Sequence, residues 1–242
     1  MRFLLLVAAS AAAIAQQPGA HHDNYYSLRS EAQLGDRFAA QLQATLKATP
    51  DARVDQLGSR LAAHSPQFHY RFFVFDGGQP SQDTAPAAAF PADWRRLELD
   101  EPIAVAAGAV LVPRRLLSRD DSQLAAMLAH AIGHVALRHP TVGLTRGELA
   151  QVEVQAASRS MPDEAPGRVR AVALNRFAFD RACETAADAY AAKLLHDSGM
   201  DPATLLAYLR TLPPPERNES SVYPQPAERI QAAQGVIAGL KQ

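Results

Sequence analysis

His130-Ala131-Ile132-Gly133-His134 sets two imidazoles four positions apart. On a helix, side chains at that spacing stand one turn apart on the same face, so the pair can grip a single metal ion. In the H-E-x-x-H arrangement, the residue after the first histidine is a glutamate that takes a proton from a metal-activated water. Here that residue is Ala131, whose methyl group accepts nothing. The spacing predicts a metal pair, and the composition of the motif removes its general base.

Two histidines do not complete a site. A catalytic zinc takes three protein ligands plus water, and His-His-Glu is one established set. Downstream, Glu184 could supply the carboxylate, and Asp188 lies one turn later on the same face, where it could orient a ligand imidazole. The competing reading makes His130 and His134 core histidines and Glu184 a solvated helix residue. The chain has eight histidines, enough for such a pair to arise by chance, so context decides. That context is an apolar helix over Leu124 to His139, with Gly133 where a bulky side chain would crowd the metal.

Other candidates read as bystanders. Cys183 adjoins Glu184, but adjacent helix positions point about 100° apart, and a free cysteine is commonly just buried. Glu148 and Glu153 read as surface carboxylates of the next helix. His21 and His22 belong to a polar leader, and Tyr70, Phe72 and Phe73 to the packing faces of a strand.

The elements that must position the motif follow from periodicity. Leu28 to Ala48 carries apolar residues at helical spacing, and a second helix follows a break at Pro50 and an Asp51 cap. Phe68 to Phe75 alternates as a strand ending in a Gly77-Gly78 turn, and Gln79 to Ala92 reads as an irregular loop. Pro102 to Val112 holds two short β-prone runs separated by Gly108, an edge hairpin or a bulged strand. Asp120 and Asp121 open a helix through His139 that Pro140 should stop. Further helices are expected over Gly147 to Ser160, Arg168 to Asp197 (closed by Gly199), from Asp201-Pro202, and over Ala227 to Leu240.

With 242 residues, 48% hydrophobic and 20% charged, the chain fits one globular domain. A net charge of −1 and the lack of a long basic run argue against nucleic acid as a partner. Residues 1–15 read as a signal peptide: Arg2, an apolar stretch from Phe3, then Ala13 and Ala15 at the cleavage site. A polar leader (16–26) and one domain (27–242) follow, with no transmembrane helix expected once the signal is removed. The lone Cys183 leaves an exported fold dependent on packing or metal rather than on internal disulfides.

L-A-A-M-L-A-H-A-I-G-H-V-A-L-R-H, then E-T-A-A-D-A-Y-A-A-K-L-L-H-D-S-G-M-D-P, resembles zinc metallopeptidase family forty-eight. That group includes membrane heat-shock proteases, CAAX prenyl proteases and periplasmic proteases that act on stalled outer-membrane proteins. S-E-A-Q-L-G and L-G-S-R-L-A near the N-terminus resemble its soluble periplasmic members, so the likeness runs from about Ser27 to Arg229. The resemblance implies an α+β, mostly helical, zincin-like fold with a small sheet beside the metal helix. It also implies Zn2+ on His130, His134 and Glu184, with Asp188 behind a ligand, Arg229 near the active site and His139 outside the ligand set.

Three departures stand out. Ala131 replaces the base. Pro102 to Val112 lacks the asparagine and paired glycines of the family's N-A-F-x-x-P-G-G segment, which resembles the edge strand along which substrate lies. Tyr223-Pro224 replaces a His-Pro, and a tyrosine there could still donate to an oxyanion. Natural loss of the base fits three departures better than engineering of one.

The expectation is an exported, periplasmic or extracellular zinc-binding member of a metalloendopeptidase family, a pseudoprotease that binds or slowly cleaves misfolded or outer-membrane polypeptides at the bacterial envelope. One alternative is an active endopeptidase in envelope quality control with a substitute base. Another is a metal-free structural or interaction domain.

Overall fold

The structure is a computed structural model that describes residues 24–76, 101–160, 165–215 and 223–240. The expected signal peptide, most of the leader, the Gly77-Gly78 turn and the Gln79–Ala92 loop lie outside the described residues.

Two capped helices open the domain. α1 (Leu28–Leu46) starts where the Ser27 hydroxyl accepts from the Ser30 amide, and it ends at Lys47, in the left-handed region at φ 52°. The Asp51 carboxylate accepts from the amides of Arg53 and Val54 and so starts α2 (Ala52–Ala62). Three strands follow: β1 (Arg71–Phe75), β2 (Ile103–Ala104) and β3 (Ala109–Pro113).

β3 lies between the other two, parallel to β1 and antiparallel to β2. All five of its residues are buried, as expected of a strand covered on both faces. The expected hairpin is present, β2 pairing antiparallel with β3 across Gly108: β2 takes the edge and the apolar run Ala109–Pro113 takes the centre. Between them the chain turns through Ala107 (φ 60°) and Gly108 (φ 109°). A Cβ on Gly108 would stand 2.5 Å from the His69 carbonyl oxygen, so glycine is required by both space and backbone.

α3 (Asp121–Ala136), capped by Asp120, is buried on nearly every side, with Leu124 through Gly133 all in the interior. Such a helix is a core element rather than a surface one. It stops earlier than expected. The chain reverses at Arg138 (φ 60°), and α4 (His139–Ser160) begins at once. Pro140 thus sits in the first turn of α4, where its missing N–H costs nothing, instead of ending the helix before it. Periodicity alone could not see the left-handed residue that separates the two.

α5 (Ala165–Asp197) is the long second wall of the site. A Cβ on Gly133 would meet the Ala187 carbonyl oxygen at 2.8 Å, so this glycine lets the backbones of α3 and α5 touch. Its neighbour is the α5 backbone, which corrects the expectation that Gly133 spares room for the metal. Gly199 (φ 67°) closes α5, and α6 (Ala203–Leu209) follows Asp201, whose carboxylate accepts from the Ala203 amide. α7 (Pro226–Gly239) opens with a reciprocal Gln225/Glu228 capping box. The result is an α+β domain, mostly helical, whose small sheet lies beside the metal helix. No helix among the described residues is long and apolar enough to cross a membrane.

The N-terminal segment is tied to the α3–α4 turn. Arg138 Nε donates to Glu31 Oε2 at 2.6 Å, and Glu31 is fully buried. Asn24 Nδ2 and the Tyr25 amide donate to Thr141 and Thr145 on α4.

Candidate metal centre

α3 delivers His130 and His134, and α5 delivers Glu184. Their ligand atoms lie within 4.8 Å of one another. The Nε2 atoms of the two histidines are 3.0 Å apart. Each Nε2 is 3.4 Å from one oxygen of Glu184. Ligands about 2.05 Å from a tetrahedral ion stand about 3.3 Å from each other, so these spacings fit the edges of a zinc coordination shell.

Buried polar atoms support the same fit. Glu184 Oε2 is buried without a hydrogen-bond partner, although Arg229 Nη1 is 3.3 Å away. Oε2 faces His130 Nε2 and Oε1 faces His134 Nε2, so one cation between them would satisfy the carboxylate and both imidazoles together. The charge states point the same way. Burial opposes a charge on His130, yet the carboxylates of Asp188 and Glu184 prevail and raise its imidazole to about 10. His134 is driven by burial down to about 4, with Glu184 offsetting this only in part. Burial would raise Glu184, but His134, His130 and Arg229 hold it well below the usual carboxylate range. The carboxylates thus favour a positive charge between them, as a cation there would supply. His130, His134 and Glu184 fit a divalent metal.

A shell of further groups orients the three. His130 Nδ1 is 2.9 Å from Asp188 Oδ1, close but not aligned as a full hydrogen bond. Asp188 is fully buried and is gripped by Arg229 from α7: Nε to Oδ2 at 2.7 Å and Nη2 to Oδ1 at 2.9 Å. The arginine's attraction and the contact with His130 overcome burial and hold the Asp188 carboxyl low. His139 approaches the second histidine from behind, with Nδ1 3.1 Å from His134 Nδ1. Its imidazole is pushed down to about 3, by burial first and His134 second, so it is a neutral positioning partner rather than a ligand.

Ala131 is 1% exposed and packs into the main hydrophobic cluster. No proton acceptor stands at that position. Cys183 faces Val142 and Phe179 in a separate small cluster. Glu148 is exposed and accepts from the Tyr26 hydroxyl at 3.1 Å. Tyr223 is 41% exposed, just ahead of α7. The tyrosine set against His130 is Tyr208 of α6, with ring centroids 6.4 Å apart.

One group at the site escaped sequence reasoning. Glu101, two residues before β2, accepts a hydrogen bond from the Tyr208 hydroxyl and has Oε1 4.0 Å from Arg229 Nη1. Burial and the neighbouring Glu184 raise its carboxyl above the ordinary range, against the pull of His130 and Arg229. Its only sequence signal was its place beside the strand that flanks the metal helix.

No curated protein matches the chain. A family model, Peptidase family M48, matches residues 102–237, which contain His130, His134, Glu184, Asp188 and Arg229.

Proposed function

The chain belongs to peptidase family M48, and we propose from this that it is an exported zinc-binding protein acting on unfolded or misassembled polypeptides at the cell envelope, with hydrolysis slowed by the loss of the carboxylate at position 131. The observation that carries the reading is the convergence of two Nε2 atoms and Glu184 at separations of 3.0–3.4 Å, with Glu184 Oε2 orphaned. Export rests on Arg2, the apolar stretch from Phe3 and the alanines at 13 and 15.

When bound, the ion supplies Lewis acidity, which makes a water more acidic and polarises a peptide carbonyl. The protein's own groups do the rest. His130, His134 and Glu184 would hold the ion, and Asp188, fixed by Arg229, orients the His130 ring. The edge of β2, unpaired among the described residues, offers main-chain hydrogen bonds to an extended polypeptide beside the metal helix. A general base typically contributes about 10²–10⁴ in rate, so its loss leaves binding intact and hydrolysis slow.

The test is zinc stoichiometry together with binding of an unfolded polypeptide, for the natural chain and for His130→Ala. One zinc per chain, lost in the variant, supports the reading. A natural chain that takes up no zinc at full supply contradicts it and favours a metal-free interaction domain.

A second reading, an endopeptidase with a relocated base, is favoured by Glu101 at the site.

A further inference from the structure

Three carboxyls surround Arg229 Nη1 and its guanidinium, and two are committed. Asp188 spends both oxygens on the arginine and faces His130. Glu184 turns both oxygens to the histidine nitrogens. Glu101 is different. It is not among the three converging donors, yet it stands one guanidinium away: Arg229 Nη1 is 3.3 Å from Glu184 Oε2 and 4.0 Å from Glu101 Oε1. It is also the most accessible of the three, with a side chain 22% exposed against 13% for Glu184 and 0% for Asp188. A group that must meet both substrate and water needs that opening. Tyr208, itself buried, fixes it by donating to Oε1.

We propose that Glu101 stands in for the carboxylate missing at position 131, accepting the proton of the water that attacks the scissile peptide. This rests on the second reading above, an endopeptidase with a relocated base, and on the metal centre it shares with the first. A general base must reach the proton it removes at hydrogen-bond distance or through one water, without occupying a ligand position. Glu101 stands outside the three-donor set, on the edge-strand side of the site, and shares the Arg229 guanidinium with Glu184.

In the step, the water oxygen bonds to the carbonyl carbon and its proton passes to the Glu101 carboxylate. The C–N bond then breaks and Glu101 returns the proton to the leaving amine. One water is consumed, and one carboxyl and one amine are made. Tyr208 keeps the carboxylate in place, and Arg229 steadies its charge.

Glu101→Gln keeps the shape and the acceptor for Tyr208 but removes the basic oxygen. In the zinc-loaded protein, kcat for cleavage of an unfolded polypeptide is expected to fall by about 10²-fold or more, with KM and zinc affinity little changed. A second readout needs no turnover. Acetohydroxamate binds a zinc centre by giving up its proton to a nearby base, so Glu101→Gln should weaken it by about tenfold. Glu101→Asp should retain part of both properties.

Zinc and acetohydroxamate binding that are equal in the natural chain and Glu101→Gln, with unchanged kcat, would overturn the assignment while leaving the metal centre standing. Loss of zinc in both Glu101 variants would make Glu101 a structural support and also overturn it. A natural chain that binds no zinc would remove the metal centre itself, and Glu101's role with it.

Discussion

Arg229 of α7 and Asp188 of α5 form a buried two-point ion pair, with Nε to Oδ2 at 2.7 Å and Nη2 to Oδ1 at 2.9 Å. Asp188 in turn stands 2.9 Å from His130 Nδ1. The last helix of the domain thus fixes the rotation of an imidazole of the candidate metal centre on α3 through one carboxylate. Arg229 also lies against Glu184 and Glu101, so one guanidinium offsets the charge of three buried or partly buried carboxyls.

Asp188→Asn tests that relay. The amide keeps the volume but loses the charge that favours a proton on His130 Nδ1 and leaves Nε2 to the metal. Zinc affinity, measured by competition with a chelator, should fall by about 10–100-fold while the protein stays folded. An unchanged affinity would make the pair a structural clamp only.

Arg229→Met should act mainly on stability. Removing one partner of a buried pair leaves Asp188 uncompensated, at a cost of about 3–5 kcal/mol. Denaturant unfolding of the metal-free protein measures it. A loss below about 1 kcal/mol, the range of surface pairs, would mean that water reaches the site more freely than the 2% exposure of Arg229 implies.

Gly133→Ala distinguishes backbone contact from helix propensity. In an open helix interior, this change gains about 1 kcal/mol. Here the new methyl would meet the Ala187 carbonyl oxygen at 2.8 Å and its Cα at 3.2 Å, both backbone atoms that cannot rotate aside. The expected outcome is a lower melting temperature and weaker zinc binding, because α3 and α5 must separate. A stabilised variant would refute the close crossing.

Much of the site was legible because its spacing is local. His130 and His134 share a helix face by their four-residue interval, and Glu184 and Asp188 do the same on α5. The α-helical boundaries at Asp51 and Gly199 were legible for the same reason, since caps announce themselves within one turn. Arg229 was legible only through the family resemblance, since nothing near it in the chain points to Asp188. Glu101 carried no signal beyond its place beside the strand that flanks the metal helix. It meets the site through Tyr208, 107 positions away, and no local pattern encodes a contact of that range. The split between α3 and α4 was missed because it depends on one residue, Arg138, entering the left-handed region, held there by Glu31 and the Tyr26 carbonyl.

Cys183 should be unreactive in the folded protein. Burial, then Asp180 and Glu184, push its thiol up to about 12, so little thiolate exists at about pH 8. A disulfide reagent at that pH should modify it only after denaturant is added. Rapid reaction of the native protein would show that α5 opens at this point.

The most direct measurement compares cleavage of an unfolded polypeptide by zinc-loaded natural chain, Ala131→Glu and His130→Ala. Restoring a carboxylate to α3 should raise the rate by about 10²-fold or more over the natural chain, since in the H-E-x-x-H arrangement the residue at that position takes the proton of the metal-activated water. His130→Ala should abolish cleavage. A natural chain already as fast as a zinc-replete, folded Ala131→Glu protein would contradict slowed hydrolysis, and an inert Ala131→Glu protein would contradict a peptidase site.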